Sequence, residues 1–143
     1  MQSQFADTIR FVQKAVILHP DDLNKFLVLI RKHDDSSRPG DFDLPGGSVS
    51  KGELHEDALI REIKEESSLI VTDIKSVLVH SRINPDDGTY FLYIGYVATA
   101  LNTDVSINPK EHDGYQWMTL DEFEALAPGH ILLEQVKRGM TDQ

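Results

Sequence analysis

Apolar and polar positions along the chain alternate between two rhythms. Lys14–His19 and Lys25–Arg31 are near-continuous apolar runs rich in β-branched residues, separated by Pro20–Asn24. Pro and Asp supply turn chemistry between two strands, and runs without alternation predict strands covered on both faces. Residues 1–12 carry little signal, an entry strand or helix at most, and 33–41 form a polar loop. A helical rhythm follows from about Glu53 to Ser67, with Leu59, Ile60 and Ile63 as its expected core stripe. Val71–Arg82 and Tyr90–Ala100 read as strands around the turn Asn84–Gly88. The aromatics Tyr90, Phe91, Tyr93 and Tyr96 fit packing better than base stacking. Thr119-Leu-Asp-Glu122 is a capping box that opens a short helix through Leu126, closed by Pro128-Gly129. A last helix is expected over His130–Arg138, burying Leu132, Leu133 and Val136. Strands, a helix, more strands and more helices make an α+β chain with a mixed sheet between helices.

Composition narrows the class. The 143 residues show no break, so a single domain over 1–143 is expected. No apolar run reaches the roughly 18 residues of a membrane span. The opening MQSQFADTIR lacks the basic and apolar regions of a secretory signal. The chain has no cysteine, which excludes disulfides and thiolate metal sites and suits a cytoplasmic protein. A net charge of −10 disfavours a nucleic-acid polymer as partner. It leaves room for a small phosphorylated ligand, provided divalent cations stand between the two sets of negative charge.

The candidate chemistry sits at Gly46–Leu69. The Gly46-Gly47 pair lets the backbone approach a ligand closely. On the helix behind it, Glu62, Glu65 and Glu66 lie three and four apart and share one side. Like charges at these spacings cost a few tenths of a kcal/mol per pair. Acids near a helix C-terminus oppose its dipole by roughly 0.3–1 kcal/mol each. Convergent carboxylates are what Mg²⁺ or Mn²⁺ require. On chemistry alone, a cation site and a merely solvated acidic face stand level.

The stretch resembles the signature of the Nudix hydrolases, G-x5-E-x7-R-E-U-x-E-E-x-G-U, where U is a bulky apolar residue. The matching residues are Gly47, Glu53, Arg61, Glu62, Ile63, Glu65, Glu66 and Leu69; Ser68 replaces the family glycine. That glycine follows the helix, where a left-handed residue commonly ends it, so Ser68 is expected to cost stability rather than chemistry.

The resemblance implies a Nudix-type α/β/α sandwich and hydrolysis of a diphosphate linkage in a nucleotide, with Mg²⁺, or Mn²⁺, as cofactor. It assigns Glu62, Glu65 and Glu66 to the metal, together with the backbone carbonyl of Gly46. Arg61 would pair with Glu53 and hold the helix against the glycine turn. The segment from Lys110 to Phe123 looks like a loop and tryptophan strand that recur in the family. Glu111 is thereby the candidate further ligand or general base, with His112 second. Arg31, with Lys32 beside it at a strand end, and Phe42, ahead of the glycine turn, are the candidate substrate contacts.

The family cleaves several kinds of substituted nucleoside diphosphate. Small size favours nucleoside triphosphates. Pro85 stands sixteen positions beyond Leu69, where enzymes acting on ADP-ribose carry a proline, although turns often hold one. A tyrosine marker for dinucleoside polyphosphates is missing, since Asp87 occupies its place. An ADP-ribose or nucleotide-sugar pyrophosphatase is thus the alternative, and a silent nucleotide-binding domain is another. Oligomeric state is left open.

Overall fold

The computed structural model describes residues 8–141; the chain's opening residues 1–7, part of the stretch with little sequence signal, lie outside them. Seven strands and three helices follow in the order β1 (Ile9–His19), β2 (Asp22–Arg31), β3 (Phe42–Asp43), β4 (Gly46–Ser48), α1 (His55–Ser67), β5 (Val71–Ile83), β6 (Tyr90–Ala100), β7 (His112–Thr119), α2 (Leu120–Leu126) and α3 (Leu133–Thr141). One mixed sheet runs β3-β2-β1-β6-β5, with β4 paired to β1 and β7 to β2. The β1–β6 pair is parallel, from Ile9 beside Tyr90 to Leu18 beside Thr99. The other pairs are antiparallel.

The continuous apolar runs have the expected cause: β1 is covered on both faces. Val16 and Leu18 join Phe26, Val28, Phe123 and Val136 under α2 and α3. Ala15 and Ile17 join Leu27, Leu29, Leu59 and Ile63 under α1. The result is the α/β/α sandwich with a mixed sheet that the sequence predicted. Gly139 brings α3 close, because a Cβ there would lie 3.1 Å from Val16. Gly95 leaves room for Gln135, whose Nε2 donates to the carbonyls of Lys14 and Tyr96.

Several boundaries differ from expectation. The strand expected from Lys14 starts at Ile9, because parallel pairing with β6 extends it. Helix α1 starts at His55 rather than Glu53, whose N–H bonds the Ser50 carbonyl in a turn. Ile60, expected in the core stripe, is 39% exposed, because α1 buries only Ala58, Leu59 and Ile63 of its apolar residues. The last helix begins at Leu133, not His130. There His130 Nε2 bonds Asp41 at 2.8 Å while its Nδ1 accepts from the Leu132 N–H, which holds these residues in a turn. The capping box is formed as read, with Thr119 Oγ1 accepting from the Glu122 N–H at 3.2 Å.

Candidate active site

The site begins with the glycine turn pinned to the middle of β1. Gly46 pairs with Lys14 and Gly47 with Gln13. Gly46 has φ 146°, and a Cβ there would collide with the Gln13 carbonyl, so the position admits only glycine. Gly47 is constrained by its partner instead: a Cβ would sit 2.8 Å from the carboxyl carbon of Glu62. The turn and the acidic helix therefore touch directly. Gln13 adds a tie, its side-chain amide donating to the His55 carbonyl at the start of α1.

Arg61 organises the acids. Its Nε and Nη2 donate to the two Glu53 oxygens at 2.6 and 2.9 Å, a fork-to-fork pair. Nη1 reaches Glu62 and Glu65, each at 3.1 Å. These bonds hold the guanidinium further above its already high range and draw the Glu53 carboxyl down. Glu66 lies inward at 7% exposure and accepts from the Gly46 N–H at 3.1 Å. Burial pushes the Glu66 carboxyl up to about 8, against the pull of Lys14 and the Gly46 amide and with the push of Asp43 and Glu111. Glu62 also moves up, through burial first, with Glu65 and Glu111 adding to it against Arg61.

A cavity of about 610 Å³ opens beside this set; Glu66 alone of these acids lines it, with Gly47, Glu111, Lys14, Arg31 and Asp43 among its other walls. Asp43 was not singled out in the sequence, yet it is 3% exposed and surrounded by cations. Lys14 Nζ and Arg31 Nη1 each lie 2.9 Å from its oxygens, Arg38 Nη2 lies at 3.7 Å, and His112 Nε2 at 3.8 Å. Burial alone would raise this carboxyl; His112, Lys14 and Arg38 outweigh it and hold the group well below the usual carboxylate range. His112 is itself buried, and neither ring nitrogen has a hydrogen-bond partner.

The positions expected from the sequence distribute as follows. Glu53, Arg61, Glu62 and Glu65 form one bonded group, with Glu66 beside them on Gly46. Glu111, in the turn before β7, and Arg31, at the end of β2, face the same cavity from the other side, and Lys32 also lines it. Phe42 does not line it; its ring packs 5.7 Å from Phe123 in the core beneath α2. Asp43 and Lys14 were missed because their contact joins β3 to β1, strands too far apart in the chain to leave a local spacing to read. One signal was available: an acid at Asp43 amid an otherwise apolar approach to the glycine turn.

The donor set suits a hard divalent cation. Glu62 and Glu66 could supply oxygens; burial raises both carboxyls, Glu111 adds to it, and a bound positive charge would oppose it. Among the described residues, no three such side chains converge at metal-binding distance. Arg61 Nη1 instead spans Glu62 and Glu65.

Residues 11–138 match the family model described as the NUDIX domain, and the chain belongs to that family. It is 36% identical over 94 residues to the nucleoside triphosphatase NudI of Salmonella arizonae, covering 59% of this chain and 66% of that protein. It is 32% identical over 108 residues to an ADP-ribose pyrophosphatase of Methanocaldococcus jannaschii, covering 75% and 62%. The chain thus spans just under two thirds of either relative. The crystal structure of a MutT protein from Methanosarcina mazei has the same fold, with a TM-score of 0.73 over 97% of this chain and 98% of that one, at 20% identity. No helix among the described residues is long and apolar enough to cross a membrane.

Proposed function

We propose that this chain, as one Nudix domain over residues 1–143, is a Mg²⁺-dependent pyrophosphohydrolase that cleaves a diphosphate linkage in a nucleoside triphosphate. The observation that carries this reading is Arg61, whose fork to Glu53 and bonds to Glu62 and Glu65 set these acids near the buried Glu66, at the edge of a cavity that Lys14, Arg31 and Lys110 also line. Glu62, Glu65 and Glu66, with the Gly46 carbonyl, would hold the cation. Bound there, it would supply charge neutralisation at the phosphoryl oxygens and a lower pKa for water.

The chain's own residues supply the rest. Lys14 and Arg31 are held by Asp43 on the opposite wall, where they meet phosphate oxygens and orient the chain of phosphates. Glu111 accepts the proton of the attacking water, with buried His112 behind it. Arg61 keeps the helix acids in place rather than touching substrate. A cytoplasmic setting is favoured by the absence of cysteine. The triphosphate reading draws on the likeness to NudI. ADP-ribose or a nucleotide sugar is the second reading, favoured by the archaeal relative and by Pro85.

The test is a panel of nucleoside triphosphates, ADP-ribose and nucleotide sugars incubated with Mg²⁺, with phosphate products assayed. Glu65→Gln and Glu66→Gln are each expected to lower turnover by about 100-fold or more while the melting curve stays cooperative. Absence of product from every class, with no cation binding, would defeat the enzyme reading.

A further inference from the structure

A second cavity, of about 270 Å³, adjoins the first and shares Arg10 and Lys14 with it. It lies on the α3 face of the sheet, and register orders its floor into rows across β1, β6 and β5. Arg10, Phe91 and Arg82 form the outer row; Val12, Tyr93 and His80 the middle one; Lys14 and Leu78 flank the inner one, where Gln135 covers Gly95. The Arg82 guanidinium lies 4.2 Å over the Phe91 ring, and His80 stacks on Tyr93 at 4.9 Å. Ile131, 77% exposed, and Leu132 close one side.

The charges of this cavity run against those of the chain. Acidic residues outnumber basic ones by 24 to 14, yet no Asp or Glu lines the cavity. Lys14 and Arg38 are paired with Asp43, whereas Arg10 and Arg82 form no ion pair with any described residue. At a rise near 3.3 Å per residue, the outer row lies about 13 Å along β1 from Lys14, room for a ribose with a diphosphate on its 5′ oxygen and a further anion on its far side, once the side chains reach inward. Both arginines are exposed, which suits a solvated anion better than a buried base edge.

We propose that this cavity holds the non-reacting end of the substrate, and that Arg10 and Arg82 bind a further phosphate ester there, as on a ribose 2′ or 3′ oxygen. The substrate class is then a nucleotide with a diphosphate at one end and a separate phosphate at the other. Apolar Val12 and Leu78 with Tyr93 cover the nucleoside, Lys14 marks the reacting end, and the arginine pair measures the distance to the second anion. This inference rests on the function proposed above and narrows its substrate.

Titration calorimetry of the full chain with Mg²⁺ tests it, comparing adenosine 5′-diphosphate with its 2′- and 3′-phosphorylated forms, and the guanosine set likewise. One of the two added phosphates should tighten binding about tenfold or more. In Arg82→Gln and Arg10→Gln that ratio should fall towards one, and Arg82→Lys should keep part of it. Melting curves establish that each variant is folded. No increment from either phosphate, or an increment that persists in the double variant, would overturn the proposal. So would a guanine preference without a phosphate increment, which marks arginine as a reader of base edges. Equal arginine-dependent binding of inorganic phosphate alone would overturn it too. If the hydrolase reading fails instead, the panel gives no product while the increment persists.

Discussion

Ser68 and Asp43 show how single positions carry the site in opposite ways. Ser68 has φ 65° and ψ 14°, the left-handed conformation that closes α1, with its N–H bonded to the Lys64 carbonyl at 2.9 Å. A side chain there costs roughly 1 kcal/mol, partly offset by the bond from Ser68 Oγ to the Ser106 carbonyl at 3.3 Å. Ser68→Gly is therefore expected to raise the melting temperature by about 1–3 °C and leave turnover unchanged. An abrupt gain in activity would assign Ser68 a part in the chemistry. Asp43 works the other way, since removing its charge leaves Lys14 without its carboxylate and Arg31 with Asp35 alone at the wall of the cavity. Those cations are 17% and 24% exposed, which discounts the loss in Asp43→Asn to about 2–3 kcal/mol, and differential scanning calorimetry measures it.

At the scale of the element, α1 depends on Arg61 more than on its own propensity. It has no side-chain N-cap, and although Glu56 and Asp57 favour its first turn, Glu62, Glu65 and Glu66 crowd its C-terminal half. Arg61→Lys keeps the charge but cannot make the fork to Glu53 or reach three carboxylates at once. Turnover is expected to fall by about tenfold or more with a small change in melting temperature; full activity in the variant would show the fork to be incidental. Part of this group was legible in the sequence because helical periodicity converts local spacing into contact and sets Glu62, Glu65 and Glu66 on one side, whereas the pairing of Arg61 with Glu53 followed only from the family resemblance. Asp43 and Lys14 were not legible, since sheet register joins residues far apart. The α3 boundary was missed for the same reason: His130 is drawn off by Asp41, a distant partner that no local pattern contains.

For the whole molecule, the depressed carboxyls set the acid limit. Asp43 and Glu53 both lie below their ordinary 3.8 and 4.5. An acid depressed in the folded state is protonated first in the unfolded chain, so its stabilisation is present above those values and fades as pH falls below them. The melting temperature is expected to decline progressively below about pH 4, and Asp43→Asn should flatten that decline. A profile equally steep in the variant would place the acid sensitivity elsewhere.

The parallel pairing of β1 with β6 has a consequence for how the protein is made. Ile9 must wait for Tyr90, and Glu111 follows later still. During synthesis the glycine turn and the acidic helix leave the ribosome well before the strand that anchors β1 from its other side. The nascent chain therefore carries its carboxylates together with the earlier Lys14 and Arg31 but without Glu111, and the cavity closes only when the late strands arrive. Assembly order in this protein places the charge first and the pocket last.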